Sequence, residues 1–305
     1  MGTPSTAPTL ARRTTTCYAE SARPTKRGHG ARQQRRRLGH ERRFSTAMPV
    51  NAEKTESLVG ILKLCDQITA EWKGSAWPRG QSDAGWTLKP SAYRNRPWQF
   101  ESAALWELKR RAPVRYANCP PDGDLGGWLS LMQHYRLPTR LLDWSQSVLV
   151  AAFFACNHQE EDGAIWALRP LVLNQFAFSQ NGIDPVTGIL TFEARLPFFL
   201  EIIGNPFSAK EGPPSVVAVL PHERDPRVMT QLSAFTVHGN RAPLESDPNA
   251  EEFLRKVVIP KTAKPQILQS LHRAGIREEV LFPDLECLAR NSALAADALW
   301  PVQIT

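Results

Sequence analysis

At 305 residues the chain has room for one large domain or two small ones, and nine Trp and 13 Phe supply bulky apolar mass for a core. No apolar run approaches the roughly twenty residues needed to span a bilayer, so no transmembrane helix is expected. The net charge of +7 is unevenly placed: residues 1–47 carry eleven Lys/Arg against Glu20 and Glu41, a local +9, leaving 26 basic and 28 acidic residues, a net of −2, elsewhere.

The basic segment 1–47 is rich in Ser, Thr, Pro and Gly and poor in large aliphatics, so it cannot bury enough surface to offset its chain entropy and is expected to be disordered. Three readings stand: an arm making phosphate contacts with nucleic acid, an Arg-rich transit leader, or a stretch upstream of a true start at Met48. The last is preferred, because a coherent fold pattern begins directly after Met48; residues 48–305 then form a single domain. With no apolar core of a secretory signal, a cytoplasmic protein is expected. Cys17, Cys65, Cys119, Cys156 and Cys287 are odd in number and scattered, and the seven His show no ligand spacing. Neither a disulfide framework nor a metal site is signalled.

Residues 51–73 predict a helix capped by Asn51, with Leu58, Ile61, Leu62, Cys65, Ile68 and Trp72 on one stripe and Gly74 at its end. Next, Trp77-Pro78-Arg79-Gly80-Gln81 reads as a short strand delivering Arg79 to a turn, and Trp86 to Arg94 as a second one. Gly80 leaves room for something to approach the backbone closely. An arginine held between Trp77 and a glycine suits a bidentate grip on a phosphate or carboxylate. Residues 100–111 predict an amphipathic helix, with Glu101 and Glu107 as solvated charges, and residues 113–126 a Pro/Gly loop.

The stretch 132–145 lies between two core segments. Before it, Trp128, Leu131, Met132 and Tyr135 share a helical face; after it, Ser147 to Cys156 is apolar and charge-free, so it is expected to be buried all round. Between them a polar turn holds His134, Thr139, Arg140, Asp143 and Ser145. Buried charges need partners, and an Arg140–Asp143 pair satisfies that need locally, as a structural pair or as part of a ligand-facing cluster.

Further on, Ala164–Leu168 predicts an inner strand, Ser215–Leu220 another, and Leu232–Val237 a third with Gln231 at its head, placed to bond a ligand or cap the sheet edge. Residues 170–214 carry helix-like fragments around Phe192–Leu200. Lys256–Pro260 reads as a strand, Pro265 opens a helix ending at Gly275, and residues 276–285 form a last short strand bearing Glu278 and Glu279. The pattern is α+β: a mixed or split antiparallel sheet of short strands with helices around it.

Arg79-Gly80-Gln81, Leu88-x-Pro90-Ser91-x-x-Arg94, Gln133-His134-Tyr135 through Ser145, Arg227-x-x-x-Gln231-x-x-x-Phe235-Thr236 and Leu281-Phe282-Pro283-Asp284-Leu285 resemble, in order, the motifs of the FRG domain family over about residues 55–295. Pro78 stands where that family's namesake motif has an aromatic residue, and Arg136 and Cys287 stand where it usually has Gly. More distantly, the pieces are similar to ADP-ribosyltransferase folds, in which an early-strand arginine holds NAD and a late strand supplies a glutamate. That likeness implies NAD as substrate, gripped by Arg79, Gly80, Gln81, Arg94, Tyr135, Thr139, Arg140, Asp143, Ser145 and Gln231, with Glu278, Glu279 and His134 as catalytic groups. Cleavage of the nicotinamide–ribose bond passes through an oxocarbenium-like state that a nearby carboxylate stabilises. Two functions follow: an NAD-consuming transferase or glycohydrolase, acting as a bacterial toxin or phage-defence effector, or a non-catalytic module holding a nucleotide or nucleic acid.

Overall fold

Among the described residues two four-stranded sheets organise the α+β core. The computed structural model describes residues 50–299 apart from 51, 159, 184–187, 193–199, 201–202, 206–211, 213 and 224. The basic segment 1–47, the proposed start at Met48, the Asn51 cap and nearly all of 192–200 therefore lie outside the described residues.

In the first sheet, β4 (Gly163–Leu168) is flanked by β8 (Leu254–Ile259) and β2 (Trp77–Gln81), antiparallel to both. All six β4 residues are buried, as its uninterrupted apolar run requires. β1 (Ala52–Lys54) pairs parallel to β8, so the chain enters as a strand where a helix was expected. In the second sheet, β7 (Ser233–His238) lies between β3 (Leu141–Ser145) and β6 (Val216–Leu220), antiparallel to both, and β5 (Leu190–Thr191) pairs parallel to β6. Asp143 and Ser145 thus sit on a strand and not in a polar turn.

Helix α1 (Leu58–Trp72) begins about two turns later than the sequence pattern suggests, because the Ser57 hydroxyl accepts from Gly60 N–H at 3.0 Å and caps it. Ile61, Cys65, Ile68 and Trp72 are buried, whereas Leu62 faces outward. Lys73, with φ 49°, ends the helix in place of Gly74. Helix α2 (Phe100–Arg111) forms as expected. Residues 91–93 make a 3-10 turn, so the second short strand of this region is absent.

Helix α3 (Leu125–His134) is capped by Asp124, which accepts from Gly127 N–H at 2.8 Å. It ends in a Schellman motif: Arg136 N–H donates to the Gln133 carbonyl at 3.0 Å and Leu137 N–H to the Met132 carbonyl at 2.9 Å. Arg136 therefore has φ 59°, which is why a glycine suits this position. Met132 and Trp128 are buried, while Tyr135 turns outward.

Helix α4 (Val148–Cys156), buried along most of its length, crosses directly over β2. A Cβ on Gly80 would fall 1.9 Å from the Ala151 carbonyl oxygen and 2.6 Å from Ala155 N. What approaches the Gly80 backbone is thus this helix, packed by the chain's own apolar run. Helix α5 (Pro170–Gln180), which the pattern did not indicate, docks on β6 through buried Asn174, whose side chain accepts from Ala218 N–H at 2.7 Å and donates to its carbonyl at 2.9 Å.

Later helices include α6 (Pro226–Thr230), α7 (Ala250–Phe253), α8 (Lys264–Arg273), α9 (Glu278–Leu281) and α10 (Leu285–Leu299). α9 overturns the expected last strand: Glu278 and Glu279 lie in the first turn of a one-turn helix, where acidic groups favour the N–H end of the helix dipole. Among the described residues no helix is long and apolar enough to cross a membrane.

Candidate functional site

β2 and β3 are edge strands of different sheets, and Arg79 joins them by donating from its guanidinium to the backbone carbonyl of Asp143. Above this junction lies a cavity of about 460 Å³, a volume within the range that small-molecule sites occupy. Its floor comes from β2, β3 and α4, and its rim from α3, α6 and Phe282.

Of the residues singled out from the sequence, Arg79, Gly80, Arg94, His134, Asp143, Ser145 and Gln231 all line this cavity. Arg79 and Arg94 face one carboxylate, Asp143, which is the only acidic residue among the described lining. Burial lowers the Arg79 pKa to about 10, with Asp143 opposing that shift and Arg94 adding to it. Arg94 is lowered as well by burial, against the pull of Asp143. Both remain cations at neutral pH, so two guanidinium groups share one counter-charge. Three lining residues also hold a buried polar atom without a protein partner: Arg79 Nε, Ser130 Oγ and Arg227 Nε.

Asp143 is held in a fixed pose although its side chain is about half exposed. Gln133 Nε2 donates to its two carboxylate oxygens at 2.9 and 2.8 Å. The Gln133 amide is itself oriented by Thr139, whose hydroxyl donates to Gln133 Oε1 at 2.5 Å and accepts from Leu141 N–H at 3.1 Å. Thr139 is fully buried, so it acts on the cavity through Gln133 and not by touching a guest.

The rim is a second polar cluster. His134 Nδ1 lies 2.9 Å from Asp225 Oδ2, and Asp225 Oδ1 caps α6 by accepting from Arg227 N–H at 2.7 Å. Arg227 donates to the His134 carbonyl at 3.1 Å and to Asp284 Oδ2 at 2.8 Å, and its guanidinium lies 5.0 Å from the Phe282 ring centroid. Gln231 Nε2 donates to the Leu281 carbonyl at 2.9 Å, and Ser145 Oγ donates to the Gln231 carbonyl at 2.7 Å. These bonds fix Phe282 against Phe154, ring centroids 6.0 Å apart, as an aromatic wall. Burial pushes the His134 pKa down, with Asp225 opposing, so its imidazole is neutral at pH 7.

The other sequence candidates are elsewhere. Gln81 is in the core, where its Oε1 accepts from Trp166 Nε1 at 2.8 Å. Tyr135 packs edge-on against His134 outside the cavity lining. Arg140 pairs with Glu101 at 2.6 Å, both buried, so the expected Arg140–Asp143 pair does not form and Glu101 is not a solvated charge. Glu278 pairs with Arg290 at 2.6 Å, and Glu279, 3.6 Å from Arg277, lines a separate small depression with Pro283, Asp284, Leu285 and Leu288. Neither glutamate lines the main cavity.

Sequence reasoning assigned no role to Gln133, Arg136, Phe154, Asp225, Arg227 or Phe282. The motifs Arg227-x-x-x-Gln231 and Leu281-Phe282-Pro283-Asp284, with the Asp225-Pro226 helix-start signal, were the hints to the rim. Among the described residues no group of three or more His, Cys, Asp or Glu is placed to hold a metal ion.

Residues 75–164 match the family model for the FRG domain, a span holding Arg79, Arg94, His134 and Asp143 but not Asp225, Arg227 or Phe282. No curated protein and no solved structure matches the chain.

Proposed function

The chain is an FRG domain protein, and from that premise we propose that its cavity binds a dinucleotide, NAD, as substrate. The observation that carries this reading is the pairing of Arg79 and Arg94 around Asp143, the one carboxylate among the described lining residues, with Arg79 Nε unpartnered. Two guanidinium groups, Arg79 largely buried and Arg94 exposed at the cavity, with one counter-charge among the described lining favour an anionic guest, and their forked donors match pyrophosphate oxygens. Phe154 and Phe282 offer an apolar wall for a planar ring.

In this reading Asp143 takes the part that the distant resemblance gave to a late-strand glutamate. It lies beside the arginines that anchor the phosphates, oriented by Gln133, where a carboxylate stabilises positive charge developing on ribose. Consumption of NAD is the activity such a site supports, and a toxin or defence effector that depletes NAD would be its setting. A second reading, binding without turnover, is favoured by one fact: Glu278 and Glu279 are engaged by arginines away from the cavity.

Isothermal titration of NAD into the purified chain, followed by an assay for released nicotinamide, tests both. Binding weakened in Arg94→Ala, with turnover lost in Asp143→Asn, supports the NAD-consuming site. Binding without nicotinamide release supports the module, and no binding at all overturns both.

A further inference from the structure

Resting on the NAD reading above, we propose that His134 and Asp225 form a water-activating pair, which makes the site a hydrolase of the nicotinamide–ribose bond and water its acceptor. Asp225 is fixed twice. One oxygen caps α6 at 2.7 Å from Arg227 N, and the other meets His134 Nδ1 at 2.9 Å. A carboxylate so tethered sets the imidazole's tautomer: Nδ1 carries the proton and donates, leaving Nε2 as an unprotonated acceptor. The backbone of His134 is held from the other side by Arg227, and Tyr135 packs edge-on against the ring. His134 also lines the same cavity as Arg79, Arg94 and Asp143.

The charged groups acting on His134 are Asp225 and Arg227 around the start of α6 and Asp284 from the turn after Phe282. Burial outweighs the pull of the carboxylates, so the base is free to accept a proton at neutral pH.

The step balances with a single base. Water oxygen bonds to ribose C1′, the C1′–N electron pair passes to the pyridinium nitrogen, and the water proton moves to His134 Nε2. Nicotinamide leaves uncharged, and the imidazolium returns its proton to solvent. A phosphodiester would release an alkoxide and need a second proton donor. Among the described lining residues there is no other imidazole and no Lys, Cys or Tyr to supply one. The lining chemistry therefore favours a cationic N-glycoside over a phosphodiester.

The test uses the full chain with NAD as probe, reading nicotinamide release, NAD affinity by calorimetry and melting temperature for folding. His134→Gln should lower turnover by about 100-fold or more while leaving NAD affinity within about threefold. Asp225 is a positioning residue, and Asp225→Asn keeps a capping side chain. It should slow turnover and shift the acidic limb of the pH–rate profile to lower pH, because the carboxylate that raises the imidazole's affinity for protons is gone. A purely structural Asp225 would leave that limb in place. Wild-type turnover retained in a folded His134→Gln overturns the pair but leaves the NAD-consuming reading standing, whereas NAD bound by wild type without release of nicotinamide overturns both in favour of the non-catalytic module. If wild type neither binds nor consumes NAD, both fail together.

Discussion

Glu101 grips Arg140 at two points: Oε2 takes the guanidinium Nε–H and Oε1 takes the backbone N–H, each at 2.6 Å. Both side chains are about 2% exposed, and Arg140 Nη1 also donates to the Gly204 carbonyl at 3.1 Å. The pair ties α2 to the start of β3, the strand that carries Asp143. Removing one partner leaves the other charge buried and alone. Glu101→Ala should lower unfolding free energy by about 3–5 kcal/mol in urea titrations, whereas the double change Glu101→Leu/Arg140→Met should cost much less. A single-mutant loss below about 1 kcal/mol would contradict the buried pairing.

Arg79 is poised for a planar anion because its fork spans the junction between the sheets. Arg79→Lys keeps the charge but loses the second donor arm. NAD affinity should fall by about tenfold, equivalent to about 1.4 kcal/mol, as read by calorimetry. Equal affinity in wild type and variant would mean that charge alone, and not the guanidinium geometry, holds the guest.

Gly80 admits no side chain, since α4 lies directly over it. Its added methyl in Gly80→Ala would have to displace the Ala151 carbonyl 1.9 Å away, which is helix backbone and yields little. The variant should lose at least about 1–3 kcal/mol or fail to accumulate as folded protein, measured by thermal melting of the soluble fraction. A melt unchanged from wild type would show that α4 is not seated on β2 as described.

His238 gives the fold a pH dependence of defined sign. It is fully buried, and burial, aided by nearby Arg79, lowers its pKa from 6.5 to about 3. Its Nε2 lies 3.0 Å from Thr236 Oγ1, which also accepts from Trp144 Nε1 at 3.0 Å. Below the unfolded value only the unfolded chain takes up the proton, so stability is full above it and falls as pH drops towards 3. The slope should be about 1.4 kcal/mol per pH unit from this one group. His238→Gln removes the titration, so its stability curve should be flatter than that of wild type between about pH 4 and 6 in denaturant titrations. Parallel curves would place the acid sensitivity elsewhere.

Much of this architecture was written in local pattern. The inner strand β4, the burial of the 148–156 segment, the alternation of β7 and the Pro265 and Gly275 end signals of α8 follow from the local pattern of those segments alone. So does the presence of Arg79, Arg94, His134 and Asp143 in one ordered set of motifs. Local pattern could not choose partners, because an ion pair depends on which elements meet in space. Arg140 was matched with Asp143, its neighbour in sequence, but tertiary packing brings Glu101 from α2 to it and leaves Asp143 to Gln133 and Arg79. The same limit hid the rim: Asp225 and Phe282 are remote along the chain from His134 and Phe154, and only the packing of α6 and the 281–284 turn against the sheets joins them. The segment of Glu278 and Glu279 reads as a strand, but its apolar run is too short for periodicity to tell strand from helix, and the one-turn helix that formed gave both glutamates arginine partners away from the cavity.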